Sequence, residues 1–169
     1  RRIVGCGVRR IEPGCDRAVE LPADHERIIR GFTRLYNRTT IVPGTLLGPR
    51  EWFLRVPYRL RFRYMQDWDQ ILRLHETQAV EFQNHTEPLY TYFIRPKGVL
   101  YRPDWLEYNL FVRHCQARRR AGLDECESLG AFHRHLRGHR GESLWIGALR
   151  AMITLRNRLR VPAARRSAA

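Results

Sequence analysis

Lysine is almost missing from this chain. Of 31 basic residues among 169, only Lys97 is lysine and the other 30 are arginine. Long apolar runs are missing too: the longest stretch without a charge, Thr39–Pro49, spans 11 residues and is interrupted by Pro43, Gly44 and Gly48. A membrane-crossing helix needs about 20 apolar residues, so no stretch reads as one. No heptad, collagen period or low-complexity tract is present, which leaves a single globular domain with a real core. Also missing are a glycine-rich phosphate loop, a Gly-x-Ser-x-Gly elbow and a dinucleotide fingerprint. His75-Glu76 lacks the second histidine of a His-Glu-x-x-His zinc site. These absences leave no catalytic residue and no cofactor to nominate, and the chain reads as a non-enzyme.

What is present is positive charge. The 31 basic residues face 17 acidic ones, giving a formal charge of +14. Such a balance favours an acidic partner, whether nucleic acid, anionic lipid or an acidic protein surface. Arginine suits buried interfaces as well as phosphates, because its planar fork pairs bidentately with either anion and stacks on aromatic rings. A GC-rich coding sequence also exchanges lysine for arginine without functional consequence. The arginines are spread along the chain, which argues for several contact faces rather than one basic arm.

Periodicity and punctuation predict a mostly α protein, with several amphipathic helices joined by extended Pro/Gly-containing segments. Residues 1–22 read as an extended, irregular lead with room for one short strand at Arg2–Val4, 23–160 as one helical domain, and 161–169 as a loose basic tail. The expected helices are Ala23–Arg38 capped by Asp24, one opened by Pro49 and interrupted at Pro57, Tyr58–Asn84, Asp104–Arg120 closed by Gly122, Leu123–Arg137 and Glu142–Arg160. Pro88–Pro103 reads as an extended wrapping segment, with Leu89–Ile94 as a candidate short strand.

Three constellations have chemical content. Arg55, Arg59, Arg61 and Arg63 alternate with Trp52, Phe53, Tyr58, Phe62 and Tyr64, a pattern that serves RNA stacking or an aromatic core fringed by arginines equally well. His133, His135 and His139 lie near His114, Cys115 and Cys126, but the spacing is not that of a zinc site, and a solvated basic face explains them. Cys6/Cys15 and Cys115/Cys126 form two close pairs, neither of them Cys-x-x-Cys; local disulfides in an oxidising compartment and buried thiols both remain open. The candidate partner anchors are Trp52, Arg55, Arg59, Arg63, Trp68, Trp105 and Trp145, although the tryptophans serve equally well as core residues.

The run from Arg113 to Cys126, with Cys115, the Gly122 turn and then Leu129 and Phe132, resembles the cysteine-bearing helical hairpin of small mitochondrial intermembrane-space proteins. It is similar in particular to PDSW-type accessory subunits of respiratory complex I, with the cysteine spacing differing by a single residue. Leu35-Tyr36-Asn37 resembles the Leu-Tyr-Arg motif of a mitochondrial adaptor family, with Asn37 in place of the arginine and Arg38 one place late. The chain also starts at Arg1 rather than methionine, as a chain relieved of a targeting presequence would. Together these resemblances imply a non-catalytic structural accessory subunit of a large mitochondrial complex, most of all complex I, peripheral to the inner membrane and held by other subunits. The alternative is a mitochondrial ribosomal protein whose arginines bind rRNA.

Overall fold

The computed structural model describes residues 1–12, 14–33, 40–94, 103–139 and positions 141, 144, 147, 148 and 151. The expected helix over Glu142–Arg160, the Leu35-Tyr36-Asn37 motif, Trp145 and the tail 161–169 lie largely or wholly outside those residues.

The chain begins with β1 (Arg2–Glu12) and β2 (Cys15–Val19), an antiparallel pair with Val8 opposite Val19 and Glu12 opposite Cys15. Gly14 takes the left-handed conformation the hairpin turn requires, at φ 76°. Next come α1 (His25–Thr33), a 3-10 turn at Pro43–Thr45, α2 (Arg50–Arg55) and α3 (Gln66–Gln78). β3 (Glu81–Phe93) then pairs parallel with β1, and α4 (Pro103–Arg120) and α5 (Leu129–Gly138) follow. The sheet order is β2-β1-β3, with β1 central.

The mostly helical expectation is therefore corrected: the described residues form five α-helices and a three-stranded mixed sheet. Two strands account for the difference. β1 extends well beyond Arg2–Val4, because its glycines permit close approach of β3. A methyl group at Gly7 would lie 2.6 Å from the Thr86 carbonyl oxygen and 2.8 Å from that of Glu87. Those carbonyls belong to an irregularity in β3, where Cys6 pairs with His85 but Val8 with Tyr90. Three extra β3 residues are accommodated there, and Pro88, which cannot donate to a ladder, falls among them.

The second difference lies in the Tyr58–Asn84 segment. Residues 58–65 are not helical, α3 stops at Gln78, and Phe82 and Asn84 face inward from β3. Phe82 lies seven residues after His75, so it fits a helical stripe on paper. The chain changes period at Ala79, whose φ of 47° ends the helix without a glycine. An L-residue pays about 1–2 kcal/mol in that conformation. Ala79→Gly is thus expected to raise stability by about 0.5–1 kcal/mol, read as a higher urea midpoint with unchanged slope. A lower midpoint would contradict this account.

Other sequence signals match their positions. Asp24 Oδ1 accepts the Arg27 N–H at 2.9 Å, as an N-cap does. α2 ends at Arg55, before Pro57. α4 closes on Gly122 at φ 69°, where Leu123 N–H donates to Arg118 O and Gly122 N–H to Arg119 O, the two bonds of a Schellman cap. Leu123–Ser128 is not helical, however. The last helix starts at Leu129, with Ser128 Oγ accepting the Ala131 N–H at 3.1 Å. Cys126 therefore sits in a connecting segment, and the cysteine-bearing helical hairpin is not formed.

One core joins both parts of the fold. Ile3 and Phe82 from the sheet meet Ile28, Ile71, Leu74, Leu110, Phe111 and Phe132 from the helices. A smaller cluster of Val8, Leu21 and Val42 lies under the hairpin. The lead segment is tied in by Asn84, which is buried. Its side-chain amide donates to Pro22 O at 2.8 Å and Thr40 O at 2.7 Å, and its backbone N–H donates to Ala23 O at 3.1 Å. No helix among the described residues is long and apolar enough to cross a membrane.

Candidate docking surface

Between α2 and α3 the chain forms an irregular turn, Val56–Met65, that cannot bury a regular face. It is held by ion pairs. Arg59 Nε donates to Asp69 Oδ2 at 2.8 Å, and its Nη2 donates to Asp69 Oδ1. Its Nη1 reaches Glu125 Oε1 at 3.0 Å. Arg61 pairs with Glu125 and donates to the Cys126 carbonyl at 3.0 Å. Arg73 Nε meets Asp69 at 2.8 Å, and its Nη2 donates to Pro57 O at 2.6 Å. Arg119 Nε donates to Glu76 at 2.8 Å, while its Nη1 lies 3.2 Å from Glu125. This clasp joins the turn, α3, α4 and the 123–128 segment.

Electrostatics explain why it holds. Asp69 has 0% side-chain exposure, and a lone carboxylate there would carry a heavy desolvation cost. Three guanidinium groups around it offset that cost. Burial alone would lower Arg59, but hydrogen bonds to Asp69 and Glu125 outweigh it and raise its pKa. Burial likewise pushes the Glu125 carboxyl up, yet Arg59, Arg119 and Arg61 together bring it below the ordinary range. Burial dominates at Arg73, which is lowered despite Asp69.

The apolar support of the turn is Phe62, fully buried and 4.9 Å from the Phe111 ring. The Arg59 and Arg61 guanidinium carbons stand 5.2 and 5.1 Å from the Phe62 centroid, within cation–π range. Arginine–aromatic alternation here thus serves the chain's own core at Arg59 and Arg61. Arg55 and Arg63 remain exposed, with Arg63 over Tyr64 at 5.5 Å. Trp52, Trp68 and Trp105 are partly buried and pack against the main core.

The sequence reading missed the residue the clasp displays. Leu60, between the two pinned arginines, is 99% exposed. Leu54, Tyr58 and Leu123 are each more than half exposed. The Arg59–Glu125 and Arg61–Cys126 contacts bring the Leu60 turn and the Leu123 segment into one loop cluster. Isolated exposed leucines are ordinary, but a fully exposed one at the tip of a rigid turn is the form an interface anchor takes. The available signal was the Arg-Leu-Arg triplet between Pro57 and Phe62, where a leucine takes a place in the arginine alternation that Phe62 and Tyr64 fill with aromatics.

The structure places the four cysteines whose pairing the sequence leaves open. Among the described residues none is in a disulfide. Cys15 pairs with Glu12 in the hairpin, whereas Cys6 lies six positions further along β1, roughly 20 Å away and beyond disulfide reach. Cys115 is buried, and burial pushes its thiol up to about 12. At pH 8 we expect Ellman's reagent to titrate Cys6, Cys15 and Cys126 in the native chain, and Cys115 only after denaturation. Fast labelling of a variant retaining Cys115 alone would contradict that burial.

His135 stacks on His139 with centroids 4.1 Å apart and meets His114 at a tilt at 4.8 Å, and His133 Nε2 lies 3.7 Å from Glu107. Among the described residues, no group of three or more His, Cys, Asp or Glu is placed to hold a metal ion. No protein-family model matches the chain, and neither a curated protein nor a solved structure matches it.

Proposed function

We propose that this chain is a non-catalytic structural subunit that stabilises a larger assembly through protein–protein contacts. One observation carries this reading: a buried ion-pair clasp spends Arg59 and Arg61 internally and holds Leu60 out, fully exposed, at the tip of the turn. A chain that needed only its own stability would gain by burying that leucine, by about 1.5–3 kcal/mol. Respiratory complex I, at the mitochondrial inner membrane, is the assembly proposed for the first test. Support for that choice comes from the Cys115–Cys126 and Leu35-Tyr36-Asn37 sequence runs alone, and the first does not form the helical hairpin of the proteins it resembles.

Fractionation of detergent-solubilised mitochondria tests this reading, with the chain followed by mass spectrometry on native gels and sucrose gradients, with and without RNase. Comigration with NADH dehydrogenase activity, unchanged by RNase, is the expected result. Sedimentation with ribosomal particles that RNase collapses would overturn it in favour of the rRNA-binding alternative. Migration as a lone 20.1 kDa chain would overturn both.

A further inference from the structure

We infer that the Leu60 turn is a docking site for an acidic protein surface containing an apolar pocket, an inference that rests on the structural-subunit reading. Leu60 is the anchor, and Leu54 and Tyr58 are the apolar groups beside it in the chain. The charge around them defines the partner. The segment Arg50–Tyr64 holds five arginines against one acid, Glu51. Arg59 and Arg61 are neutralised within the chain by Asp69 and Glu125. Arg50, Arg55 and Arg63 stay exposed and leave this segment a net positive charge. Across the cluster the Leu123 segment is mixed in charge: exposed Asp124 and Glu127 flank it, with Arg118 donating to the Asp124 carbonyl and Arg120 paired with Glu76 at the end of α4.

That asymmetry sets the partner's chemistry and orientation. Carboxylates would face Arg55 and Arg63, a pocket would take Leu60, and the face toward Leu123 would carry charge of both signs. An anionic lipid surface or an RNA backbone is a poorer match, because its uniform negative charge would meet Asp124 and Glu127. A second copy of this chain, itself at +14, lacks the acidic surplus. The rigidity of the turn favours a pocket as well: Arg59 and Arg61 are already ordered, so little conformational freedom is lost on docking.

The test uses the full chain in the cells that make it, with a photoactivatable leucine analogue at position 60 and, separately, Leu60→Ser and Arg63→Glu. Each is read by native-gel migration and by mass spectrometry of the crosslinked fragment. We expect a crosslink to a protein segment rich in Asp and Glu, and at least a tenfold drop in assembled chain for Leu60→Ser. For Arg63→Glu we expect a loss relative to the parent that is largest at low salt and narrows as salt rises, because salt screens the new repulsion. Thermal melting of the purified Leu60→Ser variant should match the parent, since Leu60 is solvent-exposed; this separates lost docking from lost folding. Normal assembly of Leu60→Ser, or a crosslink to lipid, to nucleotides or to a basic segment, would overturn the docking site and leave the structural-subunit reading intact. Absence of the unmodified chain from any assembly would instead overturn that reading.

Discussion

Asp69→Asn is expected to cost about 3–5 kcal/mol, the usual consequence of removing one partner from a buried ionic cluster. Small domains hold only about 5–15 kcal/mol in total, so the variant should be partly unfolded at 37 °C. The reason is geometric. Arg59 and Arg73 both bond to Asp69, and Arg119 Nη1 stands 3.7 Å from it. Removal of that one negative charge leaves three guanidinium groups facing one another, with only Glu76 and Glu125 to balance them. Urea denaturation of the variant is the direct check; a loss below about 1 kcal/mol would mean that packing, not the clasp, holds the turn. The same cluster contributes to the pH dependence of stability through Glu125. Glu125 titrates lower in the fold than in the unfolded chain, so its contribution is complete above its ordinary range and is lost as pH falls through the folded value. Glu125→Gln should therefore flatten the acid side of the stability curve. Asp67 works in the opposite sense: burial raises its pKa, so it favours the fold when protonated and weakens it once pH rises through that raised value.

This clasp was not legible in the sequence, because its partners are far apart in the chain: Arg59 and Glu125 are separated by 66 residues. Local helix pairing accounts only for Arg73, four residues after Asp69. For Arg59, Arg61 and Arg119 the account needs tertiary structure. What could be read was local chemistry with a short range. The Asp24 cap, the stop before Pro57 and the Gly122 end of α4 all depend on residues a few positions apart. The strands failed for different reasons. β1 interleaves glycines and arginines, so its apolar alternation is diluted, and what identifies it is the closeness of β3 to Gly7. β3 opens with Phe82 and Asn84 buried and Glu81, Gln83 and His85 exposed, a period of two. That period was masked because Phe82 also continues the helical stripe of His75 and Ala79. Asn84 was invisible as a structural residue, since its partners Pro22, Ala23 and Thr40 come from two distant segments. At the candidate site, Arg55 and Arg63 were read as interface groups and are exposed, whereas Leu60 needed the clasp to stand out.

Phe111→Ala should produce a loss comparable to that of Asp69→Asn, about 3–5 kcal/mol, through a cavity rather than a charge. Phe111 is fully buried in α4, with Phe62 at 4.9 Å on one side and Phe132 at 5.6 Å on the other. It thus connects the turn, α4 and α5 through one aromatic row, and no neighbouring backbone segment can collapse into the gap without moving an element. The prediction has an internal control: Phe111→Leu keeps most of the volume and should cost less than half as much. It also has a consequence for docking. Phe62 is the ring beneath the Arg59 and Arg61 guanidinium groups, so loosening its support should loosen the turn that displays Leu60. A double-mutant cycle between Phe111→Ala and Asp69→Asn, read by urea midpoints, would measure that link. The two sites share the turn, so their losses should depart from additivity by about 0.5–3 kcal/mol. Strict additivity would mean that the ion pairs and the aromatic row hold the turn independently of each other.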